Sequence, residues 1–340
     1  MEVSFAGAVT QVIRVEETTQ VGQVRRHALA LAQGNGFDED DCGRVALVAT
    51  ELSTNVLTHG GGGHVQLALT AGREGVGVEV CTIDAGPGFD LARCLADGYS
   101  TGTTPGIGLG TVQRQADVLD AYSDAAGAVV LARMYAANGA GNGAGRDLPY
   151  GALRIPLQHE LECGDAWHLQ IVGTQVTATM IDGLGHGPAA AAAADAGVQA
   201  AALASGEPGE RLTRLHASMS GTRGGAVAVG CFDADSGQLR FAGVGNITAA
   251  LCDGEGVRSL MSHPGIVGVQ FRKTVAGDLR DARGRLLVLH SDGLQSRWNL
   301  RDHAGLLARH PRIIAAVLLR DHQRGRDDCG VFVMRLGDLQ

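Results

Sequence analysis

The chain has 340 residues with 28 basic and 36 acidic side chains, which gives a formal net charge of −8 at pH 7. At roughly 150 residues per domain, this length predicts two domains that each bury a core. The acidic balance and the aromatic content of only 4% argue against nucleic acid as a partner. A hydrophobic share of 45% excludes disorder over most of the chain.

Cysteine usage and the N-terminal sequence predict a cytoplasmic protein. The seven cysteines show no Cys-x-x-Cys pair and no regular spacing, and no secretory signal is visible at the start. The longest stretch of low polarity, 188–205, is mostly alanine and carries Asp195, so we expect no membrane span. The sequence leaves the oligomeric state open.

Hydrophobic periodicity in the first part of the chain predicts helices packed on a mostly antiparallel sheet. In chain order the predicted elements are strand 3–14, helix 19–34, helix 40–59, strand 64–71, strand 75–83, helix 108–119 and strand 128–135. Residues 138–151 follow with the sequence NGAGNGAGRDLPYG. Because Gly, Asn and Ala in this arrangement cannot bury a core, we interpret the segment as a flexible linker.

Strands dominate after the linker. The predicted strands are 151–157, 167–173, 175–182, 225–233, 238–244, 247–253, 286–291 and 330–336. The predicted helices are 188–204, 208–220, 302–309 and 311–322. This order indicates a second, strand-rich domain.

The helix predicted at 40–59 carries a polar pair opposite its apolar stripe. Glu51 and Asn55 lie one turn apart on this face. A carboxylate one turn from a carboxamide can hold the hydration shell of Mg²⁺ and orient an attacking hydroxyl or water. Taken alone, the pair is more typical of a solvated helix face.

Two glycine-rich turns favour a ligand-binding role for this polar pair over a solvated helix face. Asp84 follows a predicted strand and offers a hydrogen-bond acceptor on a tight turn whose glycines let a ligand approach the backbone. Further along, alternating glycines begin the helix predicted at 108–119, where free N–H groups suit phosphate. The glycines that this pattern places in a nucleotide pocket are Gly86, Gly88, Gly106, Gly108 and Gly110.

These three elements resemble the Bergerat-fold ATPases, and among them the RsbT-type serine kinases and anti-sigma factors. The resemblance covers about residues 5–135. It implies that ATP with Mg²⁺ is the ligand, with Glu51 as the general base, Asn55 as the Mg²⁺ ligand and Asp84 as the acceptor for adenine. It further implies that residues 89–107 form a short lid over the phosphates.

Acidic residues in the second half lie at predicted strand ends, each beside a glycine or another acid. They are Asp165, Asp182 with Gly183, Asp292, and the pair Asp327 and Asp328. Any single Asp-Gly pair is more typical of a turn. Carboxylates on separate strand ends converge only if the strands share a sheet or a sandwich, and hard oxygen ligands then favour Mg²⁺ or Mn²⁺ over zinc.

The ordered segments GD, DGLGHGPAA, AGVGNITAAL, HPGIVG, SDGL and DDCGVFV resemble the SpoIIE-type branch of the metal-dependent serine/threonine protein phosphatases, especially its RsbX-like members. The resemblance covers about residues 160–336. It implies two Mn²⁺ or Mg²⁺ ions. Asp182 would bridge them and the Gly183 carbonyl would hold one, while Asp292 and Asp327 would hold the other.

Some roles within this resemblance stay open. Asp165 would ligate a metal directly or through water, and Asp328 could replace or support Asp327. His186 suits a structural turn residue and a phosphate contact about equally, and Cys329 is interpreted as a packing residue. Water activated between the metals would attack phosphorus in line, so no cysteine nucleophile is needed.

The expected fold class is therefore α+β, a Bergerat-fold α/β sandwich followed by a phosphatase β-sandwich flanked by helices. The predicted domains are 1–137 for the ATP-binding, RsbT-like kinase or anti-sigma domain and 152–340 for the SpoIIE-type phosphatase, with the linker 138–151 between them. The resemblance implies that the phosphatase acts on phosphoserine or phosphothreonine of a STAS-domain partner, an anti-sigma antagonist or a stressosome-like scaffold. The N-terminal domain would phosphorylate the same class of partner. The alternative is a non-catalytic, nucleotide-dependent domain that binds a partner and regulates the phosphatase.

Overall fold

The computed structural model describes residues 1–89, 108–136, 146–158, 160–270 and 276–337. These residues form two compact units. The amino-terminal unit comprises Thr10–Leu148 and Ala308–Val317, and the carboxy-terminal unit comprises Met1–Val9, Pro149–Leu307 and Leu318–Gln340. Neither unit is one continuous segment. The domains 1–137 and 152–340, taken as independently folding pieces, remain predictions.

The described elements follow the predicted order closely. The strands are β1 (Glu2–Ala6), β2 (Gln11–Val15), β3 (Gly63–Ala71), β4 (Val76–Asp84), β5 (Val118–Asp124), β6 (Gly127–Tyr135), β7 (Tyr150–Ile155), β8 (Asp165–Val172), β9 (Gln175–Gly183), β10 (Gly225–Asp233), β11 (Gln238–Val244), β12 (Thr248–Cys252), β13 (Val257–Leu260), β14 (Gly277–Leu279), β15 (Leu286–His290) and β16 (Cys329–Arg335). The helices are α1 (Thr18–Gln33), α2 (Glu39–Thr58), α3 (Gly108–Gln115), α4 (Pro188–Leu203), α5 (Pro208–Met219) and α6 (Pro311–His322).

The amino-terminal unit is a layer of helices on one face of a five-stranded antiparallel sheet ordered β2-β3-β4-β6-β5. The apolar stripe of α2 is buried against this sheet, with Val45 at 0% exposure and Leu52 at 1%. Side chains of β4 alternate between the two faces of the sheet, so that Val78 and Val80 join this core. Glu79 between them lies on the opposite face.

The strand predicted at 3–14 is two strands that belong to different sheets. Residues of β1 pair antiparallel with β8 of the carboxy-terminal unit, from Glu2 opposite Val172 to Ala6 opposite His168. The ring of Phe5 packs against Trp167 with a centroid separation of 5.8 Å. The contact of Phe5 with Trp167 thus accompanies the pairing of β1 with β8. Periodicity within 3–14 does not identify that distant partner.

Two further predictions at the end of the amino-terminal unit differ from the structure. The helix predicted at 108–119 ends at Gln115, and residues 118–124 form β5 in a hairpin with β6. Residues 138–145 of the predicted linker lie outside the described residues. The remainder does not behave as an exposed connector, because Leu148 is fully buried and Tyr150 begins β7.

The carboxy-terminal unit is a sandwich of two antiparallel sheets. One sheet has the order β1-β8-β9-β10-β11-β14 and the other β13-β12-β15-β16-β7. The rings of Trp167 and Phe332 meet between them with a centroid separation of 5.7 Å. Helix α4 packs on β8 and β9, and α5 packs on β10 and β11. The expected α+β class with a helix-flanked sandwich is confirmed.

Smaller differences concern the periphery. The helix predicted at 302–309 is replaced by two short 3₁₀ turns, at Leu300–Asp302 and Leu306–Ala308. Strands β13 and β14 were not predicted. None of the described helices has both the length and the apolar character that a membrane crossing requires.

Candidate functional site

The polar pair of α2 faces the start of α3. Glu51 and Asn55 are partly exposed. A β-carbon at Gly108 would lie 3.0 Å from Glu51 Oε2 and 3.7 Å from Asn55 Oδ1. Because glycine lacks that carbon, the backbone of α3 approaches both polar groups closely. Three residues that the sequence predicted for one pocket are therefore neighbours.

The Asp84 turn packs against the end of α2. The backbone N–H of Gly86 donates to Asp84 Oδ1 at 2.9 Å. A β-carbon at Gly60 would lie 2.5 Å from Asp84 Cβ, and one at Gly86 would lie 2.9 Å from Gly60 Cα. Gly60 is thus required for this close approach, although the sequence analysis gave it no role. The sequence feature that could have identified Gly60 is the run of four glycines at 60–63, directly after α2.

The remaining glycines of the predicted pocket have separate positions. Gly88 adopts a φ of +73°, and a β-carbon there would lie 2.5 Å from Ser123 Oγ of β5. Gly110 is buried in α3. Gly106 and the part of the predicted lid at 90–107 lie outside the described residues.

The second cluster begins with two acids on neighbouring strands. Asp165 at the start of β8 lies directly opposite Asp182 near the end of β9. Asp165 is only 2% exposed. The hydroxyl of Ser291 donates to Asp165 Oδ2 at 2.5 Å and accepts from the backbone N–H of Gly330 at 3.0 Å. Ser291 therefore fixes the orientation of the Asp165 carboxyl group.

Burial and mutual repulsion perturb these acids strongly. Burial raises the pKa of Asp165 well above its usual range, and the charge of Asp182 raises it further. Burial, followed by the charges of Asp292, Asp327 and Asp328, raises the pKa of Asp182 to about 7. The five acids predicted from separate parts of the sequence therefore interact electrostatically at one place.

A tight backbone contact joins the Gly-Asp segment to the turn after β9. The N–H of Gly183 donates to the carbonyl of Gly164 at 2.9 Å. A β-carbon at Gly183 would collide with the carbonyl oxygen of Ala190. Glycine is therefore required at this position by space as well as by its predicted role as a carbonyl ligand.

The structure distinguishes the two adjacent acids before β16. Asp328 is 3% exposed, and its carboxylate oxygens accept from the backbone N–H groups of Leu157 and Gly164, both at 2.6 Å. Asp327 is partly exposed, and its Oδ1 accepts from the N–H of Asp328 at 2.9 Å. Both carboxylate oxygens of Asp328 are thus occupied by Leu157 and Gly164, whereas Asp327 remains partly exposed and interacts electrostatically with Asp292.

Asp292 has a partner that the sequence analysis quoted but did not assign. The amide of Asn246 donates to Asp292 Oδ2 at 2.8 Å. Asn246 lies in the AGVGNITAAL segment and Ser291 lies in SDGL. Their membership of these motifs is the sequence signal that could have identified them as site residues. Gly293 allows the loop to touch the carbonyl oxygen of Asp328, which a β-carbon would overlap.

The two residues left open nearby are also placed. His186 is exposed, and its Nδ1 lies 3.2 Å from Glu160 Oε1. Its charge lowers the pKa of Asp327, although burial acts more strongly in the opposite direction and the net pKa is raised. Cys329 is fully buried, which confirms the packing interpretation.

The oxygen donors of this cluster are of the type that a divalent cation requires. In the part of the chain that the structure describes, no three His, Cys, Asp or Glu side chains already lie close enough together to hold a metal ion. The chemistry of the donors nevertheless fits Mg²⁺ or Mn²⁺, which prefer carboxylate and carbonyl oxygen. Buried acids with raised pKa values are a repulsive arrangement that a bound cation would relieve.

Comparison with known families matches both halves of the chain. Residues 15–134 match the histidine kinase-like ATPase domain, and residues 173–337 match the family of stage II sporulation protein E, SpoIIE. A search of curated proteins finds no match.

Solved structures also resemble this chain over part of its length. A chain from work on the bacterial stressosome, described as a modular system adapted to control secondary messenger signalling, is 26% identical with a TM-score of 0.52, covering 56% of this chain and 100% of that one. RsbX in complex with magnesium is 19% identical with a TM-score of 0.48, covering 54% and 92%. A structure of the PP2C phosphatase domain and part of the regulatory domain of SpoIIE from Bacillus subtilis is 14% identical with a TM-score of 0.47, covering 76% and 79%.

Proposed function

We propose that this chain, which matches the histidine kinase-like ATPase domain and the SpoIIE family, is a signalling phosphatase that removes phosphate from serine or threonine of a partner protein. The observation that carries this proposal is the pair Asp165 and Asp182, which face each other across β8 and β9 with raised pKa values. Buried acids without a cationic partner are costly for a fold and are typical of functional sites.

The residues that would hold two Mn²⁺ or Mg²⁺ ions are the aspartates of this cluster. Asp182, the Gly183 carbonyl, Asp292 and Asp327 would hold the ions. When bound, the ions would supply Lewis acidity and hydroxide near neutral pH for in-line attack on phosphorus. Asn246 orients Asp292 through its 2.8 Å hydrogen bond.

Asp165 and Asp328 have supporting roles in this proposal. Ser291 orients Asp165 next to Asp182, so Asp165 would act directly or through water. Asp328 would hold the 157–164 loop through its two backbone hydrogen bonds, because both oxygens already accept N–H groups. We therefore assign the ligand role to Asp327.

This assignment is tested by comparing Asp327→Asn with Asp328→Asn. The first variant should lose Mn²⁺ affinity, measured by calorimetry, while unfolding at nearly the wild-type denaturant concentration. The second should unfold at a lower concentration, because an amide cannot accept both N–H groups. If Asp328→Asn alone lost metal binding at unchanged stability, the two roles would be reversed.

The phosphatase activity itself is tested with a phosphoserine-bearing STAS protein and added Mn²⁺. The purified chain should release phosphate only with the metal, and Asp292→Ala should reduce the rate by about 100-fold or more. Glu207→Ala, an exposed residue at the start of α5, is the control and should keep the rate. An unchanged rate in Asp292→Ala would contradict the two-metal site.

The amino-terminal unit would bind ATP with Mg²⁺ between α2, the Asp84 turn and α3. The close approach of Gly108 to Glu51 and Asn55 supports this proposal. The likeness to the stressosome chain supports a partner of the STAS type. We place the reaction in the cytoplasm, where the cysteines that the structure describes, all free, would stay reduced.

Phosphate transfer and simple nucleotide-dependent binding are two versions of this proposal. The two versions are distinguished by incubating the Asp182→Asn variant, which should lack phosphatase activity, with labelled ATP and a STAS partner. Transfer of label that Glu51→Gln abolishes would establish a kinase. Nucleotide-dependent partner binding without transfer would establish the regulator.

A further inference from the structure

An exposed arginine without an assigned role lies beside the turn that follows Asp182. Arg223 belongs to the loop between α5 and β10. Gly225 of β10 pairs with Gly183 of β9, and the N–H of Leu184 donates to the carbonyl of Gly224 at 3.0 Å. These contacts continue the strand pairing beyond β9, so Arg223 comes beside Gly185.

The guanidinium group extends over the turn that follows Asp182. A β-carbon at Gly185 would lie 3.1 Å from Arg223 Nη1 and would meet no other atom within 4 Å. Gly185 has a φ of +86°, so the turn requires glycine for its backbone as well. The Arg223 side chain is therefore held against the same turn that carries two of the proposed metal ligands.

Arg223 has no competing partner in the part of the chain that the structure describes. The residue is exposed, and none of the described residues forms a hydrogen bond or an ion pair with its side chain. Among the other basic groups near the cluster, His186 is already beside Glu160, and Arg324 and Arg326 are exposed in the segment before Asp327. The guanidinium donors beside the Gly185 turn are therefore available to a ligand that brings negative charge.

The proposed substrate brings that charge. A phosphoserine carries a charge of about −1.5 to −2 near neutral pH and presents three acceptor oxygens. An aspartate cluster repels such a group, so recognition needs positive charge beyond the metals. The planar guanidinium of arginine can bind two phosphate oxygens with parallel hydrogen bonds.

Building on the proposed phosphatase function, we propose that Arg223 binds the phosphoryl group of the substrate and selects phosphomonoesters at this site. Its exposed donors would hold two phosphoryl oxygens while the phosphorus atom lies over the aspartate cluster. The same contact would bind the product, inorganic phosphate. Arg223 would then affect substrate and phosphate affinity without being a metal ligand.

The test compares Arg223→Ala and Arg223→Lys with Arg258→Ala, in which an exposed arginine of β13 is removed as a matched control. Loss of a charged, bidentate contact should raise KM for the phosphoserine protein and the inhibition constant of inorganic phosphate by about 10- to 100-fold. Both constants of the lysine variant should lie between those of the alanine variant and wild type, because lysine keeps the positive charge but cannot form two parallel hydrogen bonds. The control should change neither constant.

Two measurements make the outcome decisive. Mn²⁺ affinity, measured by calorimetry without substrate, should stay within about twofold of wild type in Arg223→Ala. A loss of Mn²⁺ affinity as large as the rise in KM would show that Arg223 supports the metal-binding turn, and it would overturn the proposal. Unchanged phosphate inhibition would also overturn it. Binding of inorganic phosphate to the Mn²⁺-loaded protein is a separate readout. If wild type binds phosphate through Arg223 but hydrolyses no phosphoprotein, the proposed function fails and the phosphate site stands.

Discussion

In the amino-terminal unit the carboxylate of Glu79 is buried between two arginines, whereas in the carboxy-terminal unit the buried Asp165 and the partly exposed Asp182 lie among other acids. Arg133 Nη2 lies 2.8 Å from Glu79 Oε2, and Arg312 Nε lies 2.5 Å from Glu79 Oε1. No basic side chain among the described residues pairs with either aspartate. The two sets of acids therefore differ in the charges that surround them.

The pKa values follow these surroundings in opposite directions. Burial alone would raise the pKa of Glu79, but the charges of Arg312 and Arg133 outweigh it and hold the pKa below its usual value. The pKa of Asp182 instead rises to about 7. The Glu79 group is a completed ion network of the fold, and the aspartates store a repulsion that a cation can relieve.

Breaking the Glu79 network should produce the largest effect on stability. Glu79→Gln leaves Arg133 and Arg312 buried without their carboxylate, so we expect a loss of about 3–5 kcal/mol in the free energy of unfolding. Urea denaturation of the full chain measures it. Glu39→Gln, an exposed acid in the first turn of α2, is the control and should cost less than about 1 kcal/mol. Equal losses in both variants would contradict the network.

Neutralising one aspartate should separate activity from stability. Asp182→Asn removes a proposed metal ligand, so phosphatase turnover should fall by about 100-fold or more. The same change removes buried repulsion, so the metal-free variant should resist urea better than wild type by about 1–3 kcal/mol. Initial rates and urea midpoints without metal measure the two effects. A metal-free variant less stable than wild type would contradict the stored repulsion.

The smallest expected effect is a pH dependence of the metal-free protein. Asp182 has a folded pKa of about 7, above the usual 3.8, so between these values the folded chain keeps a proton that the unfolded chain has released. Stability should therefore fall as pH rises through this window, lowering Tm by ~2–4 °C for each kcal/mol lost. Scanning calorimetry at pH 5 and pH 8 measures it. Glu79→Gln should keep this contribution, Asp182→Asn should lose it, and Mn²⁺ should restore Tm most at pH 8.

Local sequence patterns predicted most of the elements and both families. The apolar stripe of α2 and its polar pair Glu51 and Asn55 follow from helical spacing, which depends on residues only three or four positions apart. The acids at strand ends were found because each stands beside a glycine or an acid in the sequence. The residues of the pocket and of the aspartate cluster could therefore be predicted from patterns that span only a few positions of the sequence.

Partners distant in the sequence were not predicted. Asp147 was placed in the linker, yet it is mostly buried, and His310 Nε2 lies 3.0 Å from its Oδ2. Arg312 was part of a predicted helix without any indication that it would meet Glu79. A helix pattern shows which residues face a core but does not identify the surface that supplies it.

The sequence by itself predicted the two family resemblances, the α+β class and the identity of the acids and glycines, because these depend on local spacing and on motifs. Tertiary structure alone decided that β1 joins β8, that Asp328 holds a loop while Asp327 stays partly exposed, and that Arg223 lies over Gly185. The physical reason is that strand register and loop contacts join residues many positions apart. Each of these contacts depends on how distant parts of the chain pack together, so no periodic pattern in the sequence predicts it.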